Sequence, residues 1–217
     1  LERLNKGVYI ADNDIIVNTG TEQKQIMNTG KIRLRGEHNL ENYLAAIGTV
    51  YDLVDSNVME AIALEFNGVE HRMELVRELK GVKYYNDSIA STPVRTVAGL
   101  KTFKDKVILI AGGYDKNLDY TLLGKVAADK VKILILVGQT SYKIKKAVMD
   151  KSHEYNDFKR IRIIECNTFE EAVNAAYENA EEGDNVVLSP ASASFDMFKN
   201  FEERGNRYKT LVNNLGK

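Results

Sequence analysis

The sequence is short of several things, and each shortage removes a class of protein. Only one of its 217 residues, Cys166, is a cysteine. An internal disulfide and a multi-cysteine metal site are excluded, and the lone thiol fits a reducing cytoplasmic setting. Two prolines, Pro93 and Pro190, leave no proline-rich linker. Neither sign of charge dominates: 30 Lys+Arg against 31 Asp+Glu leave a net charge of −1. The broad basic field that non-specific nucleic-acid binding needs is missing, so no nucleic-acid partner is expected. Apolar stretches such as Val107–Gly113 and Ile133–Gly138 fall far short of the roughly 20 residues that span a bilayer. No membrane partner is expected either. With three histidines, His38, His71 and His153, and one cysteine, no dedicated His/Cys zinc site is expected. The chain holds no Gly-x-x-x-x-Gly-Lys-Ser/Thr phosphate loop, no Gly-x-Gly-x-x-Gly after a strand and no His-Glu-x-x-His. Nothing near Leu1 reads as a signal peptide. Since Leu1 is not a methionine, the chain is expected to begin inside a longer protein.

What is present is a globular mixture, 44% hydrophobic and 28% charged, without repeats or low-complexity tracts. In the first third, Val8–Ile10 and Ile15–Val17 read as strands joined through Ala11-Asp12-Asn13-Asp14, and Lys31–Leu34 as a further short strand. Asn42–Val54 places Tyr43, Ala46, Ile47, Val50, Tyr51 and Val54 at helical spacing. Val58–Phe66 reads as a second helix closed by Asn67-Gly68. The rhythm then changes. Strands are expected at Met73–Leu79, Val82–Tyr85, Val107–Ala111, Ile133–Val137, Ile161–Ile164 and Val186–Leu188. Helices are expected at Pro93–Phe103, Asp119–Ala128, Ser141–Asp150 and Thr168–Ala180, and from the last strand on to Leu215. Apolar strands alternating with helices imply an α/β fold whose sheet is mostly parallel and covered on both faces. The boundary is placed near Glu70. Residues 71–217 make a complete small α/β domain, and residues 1–70 have too few strands to stand alone comfortably.

In open α/β sheets ligands bind beyond the carboxyl ends of the strands, and four polar segments fall there or at the boundary. In Arg35-Gly36-Glu37-His38-Asn39-Leu40-Glu41-Asn42, Asn39 reads first as a helix cap, although an amide also matches the edge of an adenine. His71-Arg72 reads as a surface ion pair with Glu70 or Glu74, or as an arginine whose planar fork meets a phosphate or ribose. Tyr85-Asn86-Asp87-Ser88-Ile89-Ala90-Ser91-Thr92-Pro93 carries more polar groups than the cap of one helix needs. The last pair is Ala111-Gly112-Gly113-Tyr114-Asp115-Lys116 and Leu188-Ser189-Pro190-Ala191-Ser192-Ala193-Ser194-Phe195. Glycines after a strand let backbone approach a ligand, Lys116 offers a point charge for a carboxylate, and Ser194 stands where the last helix is expected to start. Cys166, after a strand, reads as a small buried apolar residue.

These segments, in this order, resemble the Mur ligases. Leu34–Asn42, His71-Arg72-Met73-Glu74, Asn86-Asp87-Ser88 with Ala90-Ser91, and Leu188–Ser194 carry the resemblance. The continuation Phe195-Asp196-Met197-Phe198-Lys199-Asn200-Phe201-Glu202-Glu203-Arg204-Gly205 points to the D-glutamate-adding branch. The likeness runs from about Gly30 to the end. Ile89 stands where the family often has lysine, and Ser91 keeps the hydroxyl of the family's threonine.

The resemblance implies a C-terminal Rossmann-like domain that binds the amino acid, over residues 71–217. Ahead of it would stand the C-terminal part of an ATP-binding central α/β domain, over residues 1–70. It implies an ATP- and Mg2+-dependent reaction of peptidoglycan synthesis. ATP phosphorylates the carboxylate of UDP-N-acetylmuramoyl-L-alanine, and the amine of D-glutamate attacks the acyl phosphate. Carried over by motif, Asn39, Asn42, Arg72 and Asp87 look like ATP contacts. Ser91, Lys116, Ser194, Phe195 and Phe201 look like the D-glutamate pocket. No catalytic residue and no metal ligand is assigned within this chain. The phosphate loop and most Mg2+ ligands would precede it, so the chain alone is expected to be inactive, and the protein is expected to be a cytoplasmic monomer. Two other readings stay open: a non-catalytic α/β ligand-binding module, and a related ligase with a different acceptor.

Overall fold

The computed structural model describes residues 4–34, 36–152 and 161–217. Arg35 and His153 lie outside the described residues. The chain divides into two compact units, one ending at Gly68 and one beginning at Val69.

The first unit is an antiparallel meander of β1 (Gly7–Ala11), β2 (Asp14–Asn18) and β3 (Gln23–Asn28) with two helices, α1 (Glu37–Val50) and α2 (Ser56–Glu65). Asp12 and Asn13 both adopt positive φ, 50° and 66°. The hairpin connection expected over Ala11–Asp14 is thus a tighter two-residue turn, since Asp and Asn tolerate the left-handed region better than most side chains and Ala11 and Asp14 join the strands. Ile15, Val17, Ile26, Met27, Ile47, Met59 and Ala63 form the unit's core.

Several expectations are corrected here. The third strand is Gln23–Asn28, not Lys31–Leu34. Its first three residues are polar and exposed, so it carries little strand signal, while Thr29–Lys31 curls into a single 3-10 turn. The first helix begins five residues before Asn42 and ends at Val50, with Gly36 as its N-cap at φ 104°. Asn39 is therefore the third helical residue and not the cap. Phe66, in extended conformation, ends α2, and Gly68 reaches its positive φ only two residues later.

The second unit is a six-stranded sheet in the order β4-β5-β9-β6-β7-β8. Its strands are β4 (Glu74–Leu79), β5 (Val82–Asn86), β6 (Val107–Ala111), β7 (Val131–Val137), β8 (Arg162–Cys166) and β9 (Asn185–Leu188). Only β4 runs antiparallel, joined to β5 through Lys80-Gly81, both at positive φ. The other neighbours pair in parallel. Every residue of β6 is buried, because helices cover both faces. Ile108 and Ile110 point into a core shared with α6 (Phe169–Asn179) and α7 (Phe201–Asn214). Val107, Leu109 and Ala111 point into the opposite core, made with α3 (Pro93–Leu100), α4 (Thr121–Lys130) and α5 (Ser141–Ser152). The fold is thus an α/β one with a mostly parallel mixed sheet.

Helix starts follow local chemistry. Pro93 opens α3, where a missing N–H is harmless. Thr168 accepts from the Glu171 amide at 3.1 Å, and the Glu171 carboxylate returns to the Asn167 amide at 2.9 Å. This is a capping box reaching back one residue further than usual. The last helix starts later than expected. Asn200 caps it, accepting from the Glu203 amide at 2.8 Å, so Ser194 is not an N-cap. Residues between Leu188 and Asn200 form a compact loop instead. Cys166 is half-buried beside that unit's core rather than fully interior.

Candidate functional site

The chain after β6 enters α4 on one face of the sheet, and the chain after β9 leads to α7 on the other. Neighbouring strands whose continuations part this way leave a crevice at their carboxyl ends, where α/β sheets bind ligands. The loops after β5, β6, β7 and β9 surround it.

One side chain lies beneath these loops. Arg204, only 1% exposed, donates from Nη1 to the carbonyls of Ser192 and Ala193, both at 3.1 Å. Its Nη2 donates to the Ser88 carbonyl at 2.9 Å and its Nε to Ser88 Oγ at 3.0 Å. Ser88 Oγ in turn donates to the Phe201 carbonyl at 2.8 Å. Burial pulls the guanidinium down to about 10, against the opposing pull of Asp196. Among the described residues, no carboxylate is in ion-pair contact with it. Further bonds join the remaining loops. The Ala193 carbonyl also accepts from the Tyr114 amide at 2.9 Å, and the Ala90 carbonyl from the Ala191 amide at 2.9 Å. Ser192 Oγ pairs with Tyr120 OH and Thr140 Oγ1, each at 2.8 Å. An Asp196 carboxylate oxygen accepts from the Gln139 amide at 3.2 Å.

Gly113 is what lets the loops approach so closely. It sits at φ 145°, and an added Cβ would lie 2.2 Å from the Ala193 carbonyl oxygen. Gly113→Ala is expected to destabilise the unit by about 3 kcal/mol or more, through strain plus a backbone clash. Urea unfolding reads this directly.

The sequence-predicted residues fall as follows. Lys116 is exposed, and its Nζ stands 5.1 Å from the centroid of the Phe195 ring. Phe195 is 57% exposed and meets Tyr114 edge-on at 5.9 Å. Among the described residues Lys116 has no ion-pair partner. Ser194, next to Ala193, is buried, and Ser91, next to Ala90, is half-buried. Ser91, Lys116, Ser194 and Phe195 therefore lie on loops that are bonded to one another. Phe201 does not join them through its ring, which packs edge-on against His71 at 6.0 Å. His71 is buried, at φ 63°, and its Nδ1 pairs with Asn86 Nδ2 at 2.9 Å. The ion pair expected of Arg72 belongs to other groups: Glu70 and Glu74 both bind Lys209. Arg72 itself is exposed.

Asp87 stands where β5 ends, and it is 4% exposed. Its carboxylate accepts from Ser189 Oγ at 2.7 Å and from the Met73 amide at 3.3 Å. Ser189 Oγ also lies 3.0 Å from Thr96 Oγ1, so the two hydroxyls pair. Burial still raises Asp87 to about 6, despite these bonds and the nearby charges of Arg72 and Arg95. Asn39 and Asn42 belong to the first unit, one turn apart on α1. Among the described residues no group of three or more His, Cys, Asp or Glu is placed to hold a metal ion. No helix among them is long and apolar enough to cross a membrane.

Arg204 and Tyr114 were not singled out by sequence reasoning. The signal for Arg204 lies in its spacing from Tyr208 and Val212, four and eight residues on, which puts it on the buried face of α7.

A mostly parallel sheet, covered by helices on both faces and carrying bonded polar loops at its carboxyl edge, defines an open α/β domain of the ligand-binding kind. Residues 71–192 match the family described as Mur ligase, glutamate ligase domain. The chain belongs to the Mur ligase family. A protein of Acetivibrio thermocellus named UDP-N-acetylmuramoylalanine--D-glutamate ligase is 54% identical over 212 residues, 98% of this chain and 46% of that protein. A protein of the same name from Clostridium tetani is 48% identical over 214 residues, 99% of this chain and 45% of that protein. The chain thus spans a little under half the length of these relatives. Among solved structures, a pseudomurein peptide ligase type C from Methanothermus fervidus has a TM-score of 0.64 at 17% identity, over 98% of this chain and 42% of that one. A Mycobacterium tuberculosis folylpolyglutamate synthase has a TM-score of 0.60 at 12% identity, over 93% of this chain and 46% of that one. At such identities the likeness concerns the fold alone.

Proposed function

We propose that this chain is part of a cytoplasmic, monomeric, ATP-dependent ligase that adds D-glutamate to UDP-N-acetylmuramoyl-L-alanine in peptidoglycan synthesis. The observation that carries the reading is the 54% identity to a ligase of that name, sustained over 98% of the chain. In this reaction the γ-phosphoryl group of ATP moves to the carboxylate, giving ADP and an acyl phosphate. The D-glutamate amine forms the new C–N bond and gives up a proton, and phosphate leaves with the electron pair of the broken C–O bond.

This chain's residues bind and orient. Lys116 supplies the cation for an acceptor carboxylate, and the Ser91 and Ser194 hydroxyls supply hydrogen bonds to the same group. The ring of Phe195 borders the pocket, and Phe201 bears on it through its backbone carbonyl, which accepts from Ser88 Oγ at the start of α7. Asp87 and Arg72 on the second unit are assigned to ATP, and Asn39 and Asn42 on α1 of the first unit carry the same assignment. The assignment to ATP leans on Asp87, a carboxylate kept buried at a strand end, where Ser189 Oγ and the Met73 amide donate to it. Mg2+ accompanies the nucleotide. The described residues offer it no ligand cluster, so nothing on this chain is assigned to it.

The test is phosphate release by the full-length protein with ATP, Mg2+ and UDP-N-acetylmuramoyl-L-alanine. D-glutamate, L-glutamate, L-lysine and meso-diaminopimelate are offered separately. Release with D-glutamate alone supports the reading. Release with another amino acid keeps the ligase but reassigns its acceptor, and no release with any of them favours a non-catalytic binding module. The isolated chain is expected to release none.

A further inference from the structure

The candidate pocket draws on residues from three separate loops, and nothing in the first or second loop alone dictates where the third one lies. Ser91 follows β5, Lys116 follows β6, and Ser194 follows β9. We infer that Arg204 is a positioning residue that registers these three loops, so that their polar groups meet one acceptor carboxylate. The inference rests on the D-glutamate reading above for its ligand, but not for its geometry.

The geometry is specific to a guanidinium. Arg204 donates in two directions from one plane: to Ser88, in the loop that leads to Ser91, and to Ser192 and Ala193, immediately before Ser194. The third loop enters through a shared acceptor. The Ala193 carbonyl takes a hydrogen bond from Arg204 Nη1 and another from the Tyr114 amide, two residues before Lys116. Gly113 passes close by, with its would-be Cβ 3.3 Å from Arg204 Nη1. A displacement of Arg204 is thus felt in all three loops.

Packing alone gives no reason for a charge here. Burying a guanidinium whose hydrogen-bond partners are all neutral oxygens is unfavourable, the Asp196 charge offsets only part of that, and an apolar side chain of similar volume would fill the space without the penalty. What the arginine adds is a planar set of donors that links backbone from two strand ends. Its own anchor is firm. The Asn200 cap and the Ser88–Phe201 bond fix the start of α7. The next residue, Gly205, is pressed so close to His71 that a Cβ would lie 2.2 Å from the ring nitrogen. Asp87, by contrast, takes its bonds from Ser189 and Met73 and none from Arg204. Loss of the arginine should therefore fall on the acceptor side of the reaction and spare the nucleotide side.

The experiment uses the full-length protein with Arg204→Lys, which keeps a charge but loses the fork, and with Ser88→Ala, which keeps the fork but removes one of its partners. KM is measured for D-glutamate and for ATP, and amide hydrogen exchange is followed in the three loops. Arg204→Lys is expected to raise KM for D-glutamate about tenfold or more and to leave KM for ATP within about twofold. Exchange at residues 88–91, 113–116 and 192–195 is expected to speed up together. Ser88→Ala should move both readouts the same way by less. The inference is overturned if both KM values hold while only kcat or thermal stability falls, which is what a purely structural role predicts. It is also overturned if exchange rises at 192–195 alone. If Arg204→Lys does not fold, unchanged KM for D-glutamate and unchanged exchange in Ser88→Ala overturn it, and shifts in both support it. If the wild-type protein shows no dependence on D-glutamate, the functional reading fails, and the exchange pattern alone decides whether Arg204 couples the loops.

Discussion

Replacing Lys116 by methionine in the full-length protein is expected to raise KM for D-glutamate by about 100-fold. The Lys116 Nζ lies over the Phe195 ring and has no carboxylate partner among the described residues. A lone ammonium beside an exposed ring, at the carboxyl edge of a parallel sheet, is available to an incoming carboxylate. Loss of a charge-assisted contact in such a place removes about 3 kcal/mol of ligand binding, which corresponds to about 100-fold. The side chain is exposed and holds no part of the fold, so thermal stability should change by no more than about 0.5 kcal/mol. KM for ATP should hold. Initial-rate kinetics with each substrate varied, and a thermal melt, give all three quantities. An unchanged KM for D-glutamate would remove Lys116 from the pocket.

The second large effect concerns Asp87, and it has opposite signs for stability and activity. The carboxyl group titrates at about 6 in the folded chain instead of 3.8. Between those values the folded state holds a proton that the unfolded chain has given up. Stability contributed at this site therefore falls as pH rises from about 4 to about 6, and stays low above that. The loss amounts to about 3 kcal/mol. Asp87→Asn is neutral at every pH and is expected to recover much of this, about 1–3 kcal/mol at pH 8. At pH 4 it should gain almost nothing, because aspartate is then largely protonated in the native state. Urea unfolding at the two pH values checks the sign. In the full-length protein the same substitution should weaken ATP use, since the carboxylate is the group assigned to that site. A gain of stability with loss of activity is the pattern of a strained functional residue. A destabilised variant at pH 8 would show that the bonds from Ser189 and Met73 outweigh burial.

Legibility in the sequence follows burial. Val107–Ala111 reads correctly to the residue because a strand covered on both faces must be apolar throughout. The turns at Asp12-Asn13 and Lys80-Gly81 are legible because Asp, Asn and Gly suit positive φ, although Lys80 adopts it without that advantage. Gln23–Asn28 is not, since its first half is polar and exposed, and pairing with β2 alone makes it a strand. Asn39 resembles a cap because its side chain suits one, yet the glycine three residues earlier takes that place. The loops of the candidate site are marked by glycine, serine and lysine directly after apolar runs, and those marks are local. Arg204 carries no such mark. It lies among Glu202, Glu203, Asn206 and Arg207, a stretch that reads as a solvated helix face. Its spacing from Tyr208 and Val212 hints at the buried face of α7, but only the packing against Ser88 and Ala193 shows what its donors hold. Phe201 illustrates the converse: the motif flags it, while its ring faces His71 rather than Lys116.

The most direct measurement is a structure of the full-length protein with ADP, UDP-N-acetylmuramoyl-L-alanine and D-glutamate bound. The expected result is a D-glutamate carboxylate within hydrogen-bonding distance of Lys116 Nζ, with Ser91 and Ser194 on the same ligand and Arg204 still joined to Ser88 and Ala193. A D-glutamate bound elsewhere, with Lys116 left over the Phe195 ring, would contradict it.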